Sequence, residues 1–339
     1  MYNSKPYPVC QHQFFLFKRI LNVRRSVCNY ASVMIESNRI NEGGDAVRIS
    51  RNAVLVLVLL AVVGLVLLLS GPTEAGAANR MKVTDPHEGQ VYLYDGFDWI
   101  WMTPVEGVAV NDITEEDISW QGALPSYIGD QYTVRRGVDV SYHQNEINWK
   151  QVKAAGYDIA IIQAGRRGYT KGGLSEDASY QANIEGALEA GLDVGVYFFS
   201  QAINVQEAIE EAEMTLKLIE PYRDQISMPV YYDWEKIYEY DTEPRTLGLE
   251  TTVLSDCAVA FCETIRAAGY EPGIYFSRHT GYYGFDLSRL EDVSMWFALP
   301  GAKYPSFYYK VDAWQYTFTG RVPGISTETD VNLFFEPRA

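Results

Sequence analysis

The 339-residue chain carries 28 Lys/Arg against 44 Asp/Glu, with 4 His, 4 Cys, 7 Trp, 25 Tyr and 14 Phe. Charge divides it sharply: residues 1–52 sum to +5, residues 53–69 hold no charge, and residues 70–339 sum to −21. An acidic body excludes nucleic acid as its partner, since phosphate affinity needs clustered Lys and Arg, and its aromatic content excludes disorder.

In chain order, the first element is a basic tail, residues 1–52, expected to be disordered and cytoplasmic; translation could also start at Met34. Residues 53–69 then read AVLVLVLLAVVGLVLLL, and the uncharged stretch runs from Asn52 to Thr73. A helix over those 22 residues rises about 33 Å at about 1.5 Å per residue, enough for a hydrocarbon core of about 30 Å. Residues 53–73 are therefore expected to be a single-pass transmembrane anchor with the body outside. Flanking charge supports that orientation weakly, with Arg39, Arg48 and Arg51 facing Arg80 and Lys82. The alternative is secretion after cleavage near Ala77, where Ala75-Gly76-Ala77 offers small residues.

Residues 74–134 form a linker or short β-rich extension, with alternating aromatics in YLYDGFDWIWM at 92–102. A small subdomain, a stalk and an extension packed on the main body are all compatible with it. Beyond it, Ala155-Gly156-Tyr157-Asp158, Ala190-Gly191-Leu192-Asp193 and Ala268-Gly269-Tyr270-Glu271 form a weak repeat, each following a helical pattern and preceding an apolar run. Glycine there reads as the left-handed cap that ends a helix, and the run as a buried strand. Eight strands are predicted, at 137–141, 159–164, 193–199, 229–234, 272–276, 294–298, 311–316 and 330–335. Strand and helix in alternation imply parallel βα units, and the short last two links imply a flattened, incomplete (β/α) barrel, TIM-like but degenerate in its C-terminal half.

Catalytic groups of such barrels sit at the C-terminal ends of strands. Those ends carry Asp139, Asp233 and Glu235, and Asp330 belongs with them. Asp233 and Glu235 are two apart and face one side if both stay extended. Crowded carboxyls raise one another's pKa, which a general acid at neutral pH requires, and this is glycosidase chemistry. Aromatics at matching depth, Tyr197, Phe199, Tyr232, Tyr275, Trp296, Trp314 and Tyr316, would stack on sugar rings, with Gln163 and Gln315 bonding hydroxyls; core packing competes for each of them. His143 and His279 are expected to orient neighbours. No metal or other cofactor is expected: outside residues 1–52, only His87, His143 and His279 are present. Cys257 and Cys262, about 140° apart on one helix, cannot easily bond to each other.

Residues 136–335 resemble the glycoside hydrolase family 25 lysozymes. The motifs, in order, are GVDVSYHQNEINWKQVKAAG at 137–156, GVYFFSQA at 195–202, PVYYDWE at 229–235, GIYFS at 273–277 and WQYTFTGRVPGISTETDVN at 314–332. The resemblance implies a catalytic domain over 135–339 and an N-acetylmuramidase acting on peptidoglycan glycan strands, cutting the β-1,4 bond between N-acetylmuramic acid and N-acetylglucosamine. It implies Glu235 as general acid/base and Asp233 as the group orienting the substrate's N-acetyl, which attacks with overall retention. Asp139 and Asp330 are implied as flanking acids. Where the family often reads Trp-x-Ala-x-Tyr, this chain has Trp296-Phe297-Ala298-Leu299-Pro300, so one groove edge is altered. From other classes, a catalytically silent peptidoglycan-binding or scaffold domain stays open, and an amidase or peptidase is disfavoured by the scarcity of His and Cys.

Overall fold

The computed structural model describes residues 87–237 and 242–338. The expected tail and the 53–73 anchor lie outside the described residues. Among those that are described, no helix is long and apolar enough to cross a membrane. Gly89–Ala339 forms one compact unit, which contains every strand and helix of the described residues.

That unit opens with two antiparallel hairpins, β1 (Val91–Tyr94) with β2 (Trp99–Met102) and β3 (Ile118–Gln121) with β4 (Leu124–Tyr127). Polar side chains fasten this extension to later residues. Asn111 Nδ2 donates to the carbonyls of Pro305 (2.8 Å) and Phe307 (3.1 Å), and the Val105 amide donates to the Tyr309 hydroxyl at 2.9 Å. Trp120 donates through Nε1 to the Lys303 carbonyl at 2.8 Å and sets its ring edge-on against Trp314 and Tyr316.

The barrel comes next: β5 (Tyr132–Val140), α1 (Trp149–Ala154), β6 (Ile159–Arg167), β7 (Leu174–Glu176), α2 (Tyr180–Glu189), β8 (Asp193–Ser200), α3 (Val205–Ile219), β9 (Ile226–Trp234), α4 (Thr251–Ala267), β10 (Pro272–Ser277), α5 (Arg278–Tyr283), β11 (Ser294–Ala298), β12 (Ala313–Gly320) and β13 (Thr329–Pro337). Each of the eight predicted strands is present. Around the ring the order is β5-β13-β12-β11-β10-β9-β8-β6, and β6 pairs back onto β5, with β7 an edge strand on β6. The ring of strands closes with all eight expected members, and the incompleteness expected for the C-terminal half lies in the ring of helices. Residues 299–312, between β11 and β12, contain Pro300 and Pro305 and form no α-helix. The last strand needs no crossover, because β13 runs antiparallel to both β12 and β5, and antiparallel neighbours can be joined by a short link.

The repeat has a backbone cause. Gly156, Gly191 and Gly269 follow α1, α2 and α4 with φ of 86°, 76° and 89°, a region costly for any residue with a Cβ. Past each helix end the chain turns into a strand whose alternate residues serve two cores. Outward ones, such as Val138, Val194 and Tyr232, pack beneath the helices, while Ile159, Ile161, Tyr231, Tyr275, Trp296 and Phe334 fill the barrel. Cys257 and Cys262 are buried free thiols on α4.

Candidate active site

Alternation along β5 decides where Asp139 points. Val138 and Val140 are in the outer core, so Asp139 turns inward near the C-terminal end of its strand. Asp330 is its cross-strand partner on β13. Because β13 runs backwards, it is the beginning of this strand, not its end, that reaches the same mouth. On β9, Asp233 lies between Phe199 of β8 and Tyr275 of β10. Glu235 comes just after the last strand residue, Trp234, and is partly buried at the mouth.

Asp139 is held from two sides. Its Oδ2 accepts Gln315 Nε2 at 2.9 Å and Asn332 Nδ2 at 2.7 Å. Each amide is itself aimed by a donor on its oxygen: the Tyr275 hydroxyl donates to Gln315 Oε1 at 2.8 Å, and Trp296 Nε1 donates to Asn332 Oδ1 at 2.8 Å. With their oxygens engaged in this way, both amides must present N–H to Asp139, which favours its ionised form.

Burial works against that ionisation and dominates at all four acids. Asp139 is pushed up to about 6, with Asn332 and Gln315 limiting the rise. Glu235 is pushed up to about 7, first by burial and then by the charge of Asp139. Asp233 and Asp330 go well above the ordinary carboxyl value, the first by burial with the charges of Glu235 and Asp139, the second by burial with Asp139 at its side. Protons therefore persist in this cluster at neutral pH, and Asp139, with two amide donors, is the member best able to carry a negative charge. Asp233 Oδ1 is buried without a hydrogen-bond partner, an acceptor facing no donor of the protein.

A further glutamine fixes Glu235 from behind. Gln201, fully buried after β8, donates from Nε2 to the Glu235 carbonyl at 2.9 Å and the Ser200 carbonyl at 2.8 Å, while its Oε1 accepts the Thr246 hydroxyl at 3.0 Å. Nearby, Arg245 pairs with Glu207 at 2.6 Å, and Arg167, only 4% exposed, pairs with the fully buried Glu211 at 2.7 Å, so the end of β6 and the segment after β9 are tied to α3.

Among the predicted substrate contacts, Tyr197 is partly exposed on the inward face of β8, beside the buried Gln163 of β6. Tyr275 is buried, and its hydroxyl serves Gln315. Two aromatics are corrected. Trp296 is enclosed within the barrel, 1% exposed, with the rings of Tyr275 (4.8 Å), Tyr231 (5.0 Å) and Tyr197 (6.1 Å) around it, so it orients Asn332 and offers no face to a sugar. Trp314 points outward, fully buried between Trp120 and Tyr316, with Nε1 donating to the Leu299 carbonyl at 3.1 Å. Tyr232 and Tyr316 share that outer core. Gln201 and Asn332 were not singled out from sequence, although both stand inside the quoted motifs; Asn332 was recognisable as the second residue after Asp330 on the same strand face.

Residues 138–325 match the family model described as glycosyl hydrolases family 25. Lysozyme M1 of Streptomyces globisporus is 28% identical over 207 residues, covering 59% of this chain and 67% of that protein. The autolytic lysozyme of Clostridium acetobutylicum is 26% identical over 202 residues, covering 59% of this chain; the match spans 56% of that relative's own length. The solved spore cortex lytic enzyme of Clostridium perfringens, 18% identical, superposes with a TM-score of 0.50 over 59% of this chain and 67% of its own, a likeness of fold. The family match takes in more than half of the chain, including Asp139, Asp233 and Glu235, and on that ground the chain belongs to glycosyl hydrolases family 25.

Proposed function

We propose that this chain is a muramidase that cleaves the β-1,4 bond between N-acetylmuramic acid and N-acetylglucosamine in peptidoglycan, with retention of configuration through the substrate's own N-acetyl group. The observation that carries this is the mouth itself: four carboxyls with burial-raised pKa values, Glu235 at about 7. A carboxyl of that kind holds a proton at neutral pH and can release it to a leaving group.

In this reading Glu235 protonates the glycosidic oxygen as the C–O bond breaks, and the acetamido carbonyl oxygen attacks the anomeric carbon from the opposite face. Asp233 Oδ1, buried and unpartnered, accepts the acetamido N–H and so aims that carbonyl. Such a donor favours the carboxylate form of Asp233, which then stabilises the positive charge developing on the cyclic intermediate. Glu235, now ionised, takes a proton from the incoming water as the water oxygen bonds to the anomeric carbon and the bond from that carbon to the acetamido oxygen breaks, which restores the N-acetyl group with net retention. Asp139, held in place by the two amides, keeps the potential of the mouth negative, with Asp330 as its cross-strand neighbour. The two lysozyme relatives support the substrate class.

The finer placement belongs to the same proposal: residues 53–73 anchor the chain in the cell membrane as a single pass, with the catalytic unit on the extracytoplasmic side. Its support is the uncharged apolar run and the basic tail before it. Mass spectrometry of the N-terminus of the native protein separates an anchored chain from one cut near Ala77.

Purified protein incubated with peptidoglycan should release fragments with new reducing muramic acid ends, and Glu235→Gln should abolish the release. Binding by the wild type without fragment release would favour a silent glycan-binding domain and sink the enzymatic reading. Full release by Glu235→Gln would show that the acid is another residue.

A further inference from the structure

The β1–β2 hairpin lies outside the residues that match the family, and one of its faces consists of rings. Tyr92 stands opposite Trp101, and Tyr94 opposite Trp99. Their exposures are 55%, 46%, 38% and 62%, so four large aromatics face solvent side by side. They form one continuous run: Tyr92 lies 4.9 Å from Trp101 and 5.4 Å from Trp99, nearly parallel to the latter, and Trp99 lies 5.8 Å from Tyr94. Packing of the hairpin does not require this, because Met102 on the other face meets the core. An exposed apolar patch of this kind in a folded domain marks a binding surface.

The hairpin is also rigidly held. At its tip Asp95, 7% exposed, accepts the amides of Phe97 (2.7 Å) and Asp98 (2.9 Å) on Oδ1 and the Tyr283 hydroxyl (2.6 Å) on Oδ2. The Phe97 ring meets His279 edge-on at 5.3 Å, and the Arg278 guanidinium lies over Tyr94 at 5.6 Å. Tyr283, His279 and Arg278 all belong to α5, which starts at the residue after β10, and β10 carries Tyr275 beside Asp233. Only two residues separate Tyr275 from Arg278, so the ring face adjoins the rim of the catalytic mouth.

Charge selects the kind of partner. Residues 87–112 contain Glu88, Asp95, Asp98, Glu106 and Asp112 and no Lys or Arg. Even with Arg278 over Tyr94 the five acids leave this region net negative, so an anionic bilayer or a nucleic acid would be repelled by it. A glycan backbone of N-acetylhexosamines carries no phosphate, and its sugar rings present apolar faces that stack on Tyr and Trp. We propose that the Tyr92–Tyr94–Trp99–Trp101 face is a second glycan-binding surface, which holds the same peptidoglycan strand beyond the subsites of the mouth. The choice of polymer rests on the muramidase reading; the position and chemistry of the surface do not.

The test is Tyr92→Ala/Trp99→Ala, in the full chain carrying Glu235→Gln so that binding is read without cleavage. Retention on insoluble peptidoglycan should fall about tenfold, the scale of losing a central aromatic pair from an interface. In the Glu235 background, the ratio of activity on insoluble wall to activity on a tetrasaccharide should fall with it. Tyr92→Phe/Trp99→Tyr, which keeps the rings, should restore both, and an unchanged unfolding midpoint shows that the alanine variant is folded. Unchanged retention overturns the proposal, as does equal loss on wall and tetrasaccharide. A third arm uses phosphatidylglycerol vesicles: if the alanine pair weakens vesicle binding and leaves wall retention intact, the surface is a membrane contact and the proposal is wrong. Failure of the muramidase reading would appear separately, as absence of fragment release by the wild type.

Discussion

Glu235→Gln should make the protein more stable at alkaline pH while removing its activity. Burial and the charge of Asp139 push Glu235 from an ordinary 4.5 up to about 7. That rise, about 2.5 units at about 1.36 kcal/mol each, corresponds to roughly 3 kcal/mol. The sign follows from proton counts. Between pH 4.5 and about 7 the folded state holds a proton that the unfolded chain has released, so stability is fullest below 4.5 and is lost as pH rises through about 7. Glutamine of similar shape never ionises and escapes that loss. Part of Glu235 faces solvent, which screens its charge, so about 3 kcal/mol is a ceiling and about half of it the expected gain. At about 2–4 °C per kcal/mol for a domain of this size, the midpoint should rise by about 3–6 °C at pH 8. Near pH 4 the difference should vanish. Urea unfolding of wild type and variant at pH 4, 6 and 8 measures it. A variant that gains nothing between pH 4 and pH 8, or is less stable at pH 8, refutes the claim that Glu235 is a strained, proton-holding acid.

Three other substitutions probe the parts around it. Asp139→Asn removes the negative charge that helps raise Glu235, so the alkaline limb of kcat/KM, expected near pH 7, should move to lower pH in the residual activity; a limb that stays or rises contradicts the coupling. Gln201→Leu releases the carbonyl of Glu235 from its clamp, and kcat should fall about tenfold or more at nearly constant KM, since misplacing a reacting group costs rate more than binding. An unaltered kcat in folded protein would make Gln201 a packing residue alone. Trp314→Ala should destabilise the protein by about 3–5 kcal/mol, as expected for a buried aromatic, and leave the KM of surviving folded enzyme where it was. A raised KM at unchanged stability would return Trp314 to the groove.

Much of the fold was legible because parallel barrels announce themselves one unit at a time. The glycines that end α1, α2 and α4 and the apolar runs after them are local signals for β6, β8 and β10, and the other strands of the ring stood out as apolar runs of their own. Closure is not local. Nothing within 330–335 says that this strand runs antiparallel and pairs with β5, since the evidence for it is the partner strand nearly 200 residues earlier. The degenerate C-terminal half was visible in its prolines and short links, and what is lost there is helix, since residues 299–312 form none. The reversal of β13 has a chemical result as well. It brings the first residues of that strand, with Asp330, to the mouth where the other strands place their ends.

The four acids were easier to find than the groups that govern them. A carboxylate inside an apolar run is conspicuous, because burying it needs a reason. A buried tryptophan in such a run is ordinary, so depth alone could not separate Trp314, which braces the outer core, from the neighbouring Gln315, which grips Asp139. Strand parity separates them. On β12, Trp314 registers with Leu333 of the outer core and Gln315 with Asn332, and it is Gln315 and Asn332 that converge on Asp139. Once Asp330 is taken as facing inward, Asn332 must face inward too, and pairing then assigns Gln315 to the same side. The amides are thus derivable from the acids, provided the strand pairing is known. That pairing is the one step the linear pattern does not contain. Trp296 faces inward by the same parity and is still no sugar platform, because the rings of Tyr275, Tyr231 and Tyr197 enclose it.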